Sequence, residues 1–247
     1  MSRGDANPPV LAQGEYEYLC DGQLMPITER WHLVRSAGLF EIYSERTVPS
    51  QSLRVRVLAR IESGRIGRCA LSWGVDGEMN CRANATYRVG ADGRGAVYRY
   101  RRPGFPARGI PMVRQHFFPL LRIFSGQLLG ALASAGGSGE VLVPWIHDPA
   151  QGERLFAPEF STRTVGYQGP GRAAKPGNVS DCFLYAGGQY GQGAEYDVAD
   201  GLLQEYRWWQ GEKQWRVRLR EFSGQWPGAE LWPHARCAAV AAGSVGV

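Results

Sequence analysis

The chain has 247 residues, 44% of them hydrophobic and 21% charged, with 33 Gly and 15 Pro, an ordinary globular composition whose turn residues favour many short strands over long helices. Its net charge of +5 is carried almost wholly by arginine, since lysine occurs only at positions 175 and 213. With no recognition helix, zinc knuckle or aromatic-basic strand of an RNA-binding sheet, that charge does not argue for nucleic acid, and no run approaches the ~20 apolar residues of a transmembrane segment.

Residues 1–13 read as a loose leader. They contain no apolar core of signal-peptide length, so the expected compartment is cytoplasmic, or periplasmic if an export signal has been removed. A single β-rich domain is expected over 14–236, with a flexible tail over 237–247. Strands are predicted at Tyr16 to Cys20, Ile27 to Arg35 and Leu39 to Arg46, the first two separated by the turn Asp21-Gly22. From Leu53 to Ile61 apolar residues alternate with Arg54, Arg56 and Arg60, interrupted only by Leu58, which is the period of a half-buried strand. Ser63-Gly64, Asp76-Gly77 and Asp92-Gly93 then divide the predicted strands Arg65 to Val75, Met79 to Val89 and Ala96 to Arg101.

Four prolines precede the one helical pattern, whose apolar spacing starts at about Leu120 in a helix expected near 118–134, where Leu120, Ile123, Phe124, Leu128 and Ala131 fall largely on one face and Gly136-Gly137 forms a stop. Strands resume at Glu140 to Ile146, Phe160 to Gln168 and Val179 to Tyr185. The chain closes on a meander over 196–219, YDVADGLLQEYRWWQGEKQWRVRL, bracketed by turns at Asp200-Gly201 and Gln210-Gly211. The fold class is therefore mainly β: one large antiparallel curved sheet or half-open barrel with one interrupting helix. A closed calycin-like barrel would produce much the same pattern.

This order of elements, together with the closing meander, resembles the LolA-like curved-sheet proteins and a related uncharacterised bacterial family. The resemblance implies a half-open barrel that wraps an acyl chain while a helix closes its mouth. It transfers no catalytic residues.

The five cysteines are odd in number and widely spaced, which argues for free thiols rather than a disulfide framework or zinc site. Four histidines without an HxH or HExxH spacing make no metal site, and no cofactor motif is present. A lipophilic guest would be lined by some of Trp145, Tyr185, Tyr190, Trp208 and Trp215, with His116 and Arg114 at the mouth to meet a polar head. Trp208 and Trp209 point to opposite faces of a strand, so only one of them lines the same hollow.

For chemistry, His147-Asp148 is the most enzyme-like dipeptide, and Asp181, on the strand face of Phe183 and Tyr185, is the preferred acid if it is desolvated. Glu205 is expected outside, beside arginines. The rows Arg54, Arg56, Arg60 and Arg216, Arg218, Arg220 read as solvated faces. Two functions follow. One is binding of a lipophilic or amphipathic small molecule; the other is a cyclase, isomerase or hydratase of such a molecule, using an inward acid or histidine. The partner expected is a small lipophile, and the oligomeric state is left open.

Overall fold

The computed structural model describes residues 8–36, 38–51, 53–75, 83–89, 95–100, 108–110, 115–146, 155–172, 179–188 and 190–233. The first half is a run of strands: β1 (Val10–Cys20), β2 (Gln23–Ser36), β3 (Leu39–Val48), β4 (Leu53–Glu62), β5 (Arg65–Val75), β6 (Ala83–Val89), β7 (Gly95–Tyr100) and β8 (Arg108–Ile110). After β9 (Gln115–Phe117) and helix α1 (Ser125–Ser134) come β10 (Ser138–Trp145), β11 (Ala157–Pro170), β12 (Asp181–Gly187), β13 (Tyr190–Ala199), β14 (Leu202–Gln210) and β15 (Lys213–Gly224).

Three of the predicted turns have the backbone that a two-residue hairpin requires. Asp21 and Gly22 have φ of 50° and 80°, Ser63 and Gly64 50° and 74°, and Asp200 and Gly201 48° and 78°. Consecutive positive φ values match the right-handed twist of the flanking strands. Asp76-Gly77 and Asp92-Gly93 lie outside the described residues.

The fifteen strands of the described residues belong to one sheet, in the order β8 to β1, then β15 down to β9. Two meanders are thus joined by the antiparallel pairing of β1 with β15, which brings Tyr18 opposite Val217 and Leu19 opposite Arg216. β1 begins at Val10, inside the stretch expected to be a loose leader, and Ala12 is only 1% exposed. Pairing to β2 on one side and β15 on the other satisfies its backbone and holds it in place. Among the described residues the order ends at β8 and β9, so the sheet curls without closing and is not a calycin-like barrel.

The expectation of a wholly antiparallel sheet fails at one pair. β9 runs parallel to β10, with Gln115 opposite Glu140 and Phe117 opposite Leu142. Parallel neighbours need a crossover rather than a hairpin, and α1 is that crossover. The helix also starts later than the predicted 118. Leu120 has a φ of 67°, and Arg122–Phe124 form a short 3-10 turn before α1 begins at Ser125. Its end falls as expected, with Gly136 and Gly137 at φ of 90° and 82°, where the Gly137 N–H reaches the Leu132 carbonyl at 2.9 Å.

α1 packs against β9, β10, β11 and β14, and the 3-10 turn packs against β14. One apolar core joins Tyr16, Leu33, Ile42 and Leu71 from the first meander, Phe183, Tyr206 and Val217 from the second, and Leu121, Ile123, Phe124 and Leu129 from the helical segment. The period-two reading of β4 holds, since Val55, Val57, Ala59 and Ile61 are buried while Leu58 lies on the polar face. There, Arg56 pairs with Glu45 and Arg60 with Glu41, while Arg218 and Arg220 pair with Glu17 and Glu15. Arg30 pairs with Glu15 as well, and solvated ion pairs of this kind contribute little each.

Candidate functional site

Among the described residues two hollows stand out on the curled sheet. The larger, ≈ 1160 Å³, is a trough across the middle of β15 and β1 to β6 whose lining includes Glu15, Arg30, Glu45, Arg56, Arg220 and Glu221. Its charges already pair with one another across the strands, at 2.6 Å for Arg30 and Glu15. It is a solvated saddle in the polar face. The smaller, ≈ 680 Å³, lies on the apolar face between the sheet and the helical segment. It is lined by Leu128 and Leu129 of α1, Phe118 and Leu120 ahead of it, and strand residues from both meanders.

One wall is a ladder of rings. Tyr185 meets Tyr196 edge-on at 5.6 Å, Tyr196 stacks on Tyr206 at 4.4 Å, Tyr206 on Trp208 at 4.4 Å, and Trp208 on Trp215 at 5.6 Å. Register builds it, because Tyr196 lies directly opposite Tyr206 and Trp208 opposite Trp215, while Tyr206 and Trp208 are two apart on one strand. Trp209 points the other way and is 54% exposed.

The polar part of this hollow was not foreseen. Arg46, Arg122 and Arg163 all line it. Behind them Glu29, whose side chain is 0% exposed, accepts from Arg46 Nη2 at 2.7 Å, from Arg46 Nε at 3.0 Å and from the Tyr18 hydroxyl at 2.9 Å. It also accepts the backbone N–H of Arg122, and Arg46 Nη2 donates on to the Leu120 carbonyl at 3.1 Å. Burial and the neighbouring Glu29 carboxylate push the Tyr16 hydroxyl well above its ordinary range. Burial likewise pushes the Tyr18 hydroxyl up, against the opposing pull of Arg46, so both phenols stay neutral.

The signal for these residues was strand parity. Glu29 shares a face with Trp31 and Leu33, Arg46 with Ile42, and Arg163 with Val165, so each is a charge on the apolar side of its strand. Arg122 is the lone charge in the apolar run PLLRIF.

Of the residues singled out by sequence, Trp145, Tyr185, Trp208 and Trp215 line the hollow together. His116 lies on β9 beside Gly139, where an added Cβ would stand 2.8 Å from its ring, and it is not among the lining side chains. Burial pulls its pKa below the ordinary value. Asp181 opens β12, the strand that carries Tyr185, but is outside the lining and is hydrogen-bonded with Tyr167. Burial raises its pKa, and the nearby Asp200 adds to the rise. Tyr190 opens β13 opposite Gly187, with its side chain outside the described set. Arg114, His147 and Asp148 lie outside the described residues. Glu205 pairs with Arg207 at 3.2 Å.

Cys20, Cys69 and Cys182 are free thiols. Among the described residues no group of three or more His, Cys, Asp and Glu side chains is placed to hold a metal, and no helix is long and apolar enough to cross a membrane.

No family model and no curated protein matches the chain. Among solved structures, the fold is similar to the crystal structure of a beta-barrel-like protein of domain of unknown function DUF1849 from Brucella abortus, with a TM-score of 0.52 and 13% identity over 89% of this chain and 100% of that chain. At that identity the likeness is one of fold. It supports a curved, barrel-like sheet and does not single out the LolA-like proteins among such folds.

Proposed function

We propose that this protein binds a lipophilic or amphipathic small molecule in the hollow between the apolar face of the sheet and α1. The observation that carries the reading is an unfilled space of ≈ 680 Å³ walled by Tyr185, Tyr196, Trp208 and Trp215 on one side and by Leu128 and Leu129 on the other. Ligand sites are typically apolar hollows of about 300–1,000 Å³ with a few placed polar groups, which describes this lining. An acyl chain of the kind the LolA resemblance implies suits such a wall. The enzymatic alternative has less support, because Asp181 stands outside the lining and no other described carboxylate takes its place there.

A neutral naphthylamine probe tests this reading. The expected result is saturable enhancement of probe fluorescence with energy transfer from tryptophan, reduced in Trp208→Ala. Organic extraction of the protein from its own host is expected to release a lipophile. Failure of the folded protein to take up any apolar probe would defeat the proposal.

A further inference from the structure

The polar side of the hollow is lined by arginine. Three arginines, Arg46, Arg122 and Arg163, face it, and among the described residues no acidic side chain lines it. Glu29 meets Arg46 and the Arg122 backbone from behind that lining. Guanidinium does not lose its proton in a protein. Arg163 therefore stays cationic at any working pH.

Among the described residues Arg163 meets no carboxylate. It is 6% accessible, its Nε donates to Ser161 Oγ at 2.9 Å, its Nη1 donates to the Gly187 carbonyl, and its Cζ lies 5.7 Å from the Tyr185 ring centre. These are neutral partners, and its Nη2 donates to nothing among the described residues. The glycine turn that follows β12 is shaped around this group. A Cβ at Gly188 would stand 2.2 Å from Arg163 Cζ, and one at Gly187 3.3 Å from its Cδ. Any other residue at 188 would displace the guanidinium, so the turn cradles it.

A guanidinium buried against neutral acceptors alone is costly and becomes favourable when an anion joins it. We infer that the guest is an amphiphile whose head is an oxyanion, a carboxylate or a phosphate, and that Arg163 recognises that head; the inference rests on reading the hollow as a ligand site. Two parallel N–H···O bonds from a guanidinium fork suit either head. The chain then runs from the Tyr185 end of the ring ladder towards Trp208 and Trp215. A neutral head leaves the fork unmet, and a cationic head is repelled.

The test uses the whole chain and displacement of the neutral naphthylamine probe by dodecanoate, dodecyl phosphate and dodecanol. One or both anions are expected to displace it about ten-fold better than the alcohol, the scale of one charge-assisted hydrogen bond. The order of the two anions identifies the head. Arg163→Gln is expected to erase the preference, read as the ratio of anion to dodecanol displacement on the same variant, and Arg163→Lys, which keeps the charge, to retain part of it. Equal displacement by all three compounds on the unaltered protein overturns the inference but leaves the hollow a lipophile site. A preference that survives Arg163→Gln overturns the assignment to Arg163. No probe uptake and no displacement overturn both readings, and the comparison on the unaltered protein does not depend on whether a variant folds.

Discussion

Glu29 on β2 accepts the backbone N–H of Arg122, a residue 93 positions later at the start of the helical segment. This bond ties the crossover between β9 and β10 to the opposite meander, and it sets a buried carboxylate behind Arg46 and the Arg122 backbone. Glu29→Ala would strand the Arg46 guanidinium, the Tyr18 hydroxyl and the Arg122 N–H together. The expected loss is about 3–5 kcal/mol in denaturant unfolding, the range for removing one member of a buried pair. A loss near that of a surface substitution would show that water replaces the carboxylate freely.

Trp208 and Trp209 are sequence neighbours with opposite surroundings. Trp208 stacks between Tyr206 and Trp215, whereas Trp209 is 54% exposed. Trp208→Ala is expected to cost about 2 kcal/mol, discounted from a full core truncation because the ring is only partly buried. Trp209→Ala should stay within about 0.5 kcal/mol. Paired chemical melts measure both, and equal losses would mean the strand is in the other register.

Gly126 lies in the first turn of α1 against the β13–β14 hairpin. An added Cβ would stand 2.0 Å from the Gly201 carbonyl oxygen, a backbone atom that cannot rotate away. Alanine ordinarily improves a helix by about 1 kcal/mol over glycine, but overpacking of about 1–3 kcal/mol or more opposes it here. Gly126→Ala is therefore expected to destabilise by about 2 kcal/mol, and to alter probe binding because Ser125 and Leu128 beside it line the hollow. A rise in melting temperature would place the helix further from the hairpin.

His116 and His32 both have pKa values drawn below the ordinary 6.5 by burial. A lowered histidine pKa means that the unfolded chain takes up a proton before the folded one does. Stability is then at its full value above about pH 6.5, falls as the pH drops through that value, and levels off below the folded pKa. Melting temperature is expected to decline between pH 7.5 and 5.5, and His116→Gln to shrink that decline. An unchanged profile in the variant would locate the titration at His32, which stacks on Tyr43 at 4.8 Å, or elsewhere.

Much of the sheet was legible because its information is local. Alternation in β4 and β15, and the paired turn residues at Asp21-Gly22, Ser63-Gly64 and Asp200-Gly201, prescribe strands and hairpins within a few residues of each other. The opposite facing of Trp208 and Trp209 follows from the same period. The parallel β9–β10 pair was not legible, since β9 is only Gln115–Phe117, too short for any pattern to show. The late start of α1 was hidden for a different reason: Leu120 takes a left-handed backbone and Glu29 holds the Arg122 N–H, and neither is a property of the helical sequence itself.

The chain alone determined a β-rich fold with one helix, many rings on one face and paired charges on the other, because side-chain period and turn chemistry act between near neighbours. Only the tertiary structure decided that Arg46, Arg122 and Arg163 meet in one hollow with Glu29 behind Arg46, while Asp181 stands apart from it. Those groups come from β2, β3, the segment before α1, and β11, and what brings them together is the curl of the sheet and the pairing of β1 with β15. Burial then gives them their chemistry, since a charge on the apolar side of a strand matters only once another strand has closed water away from it.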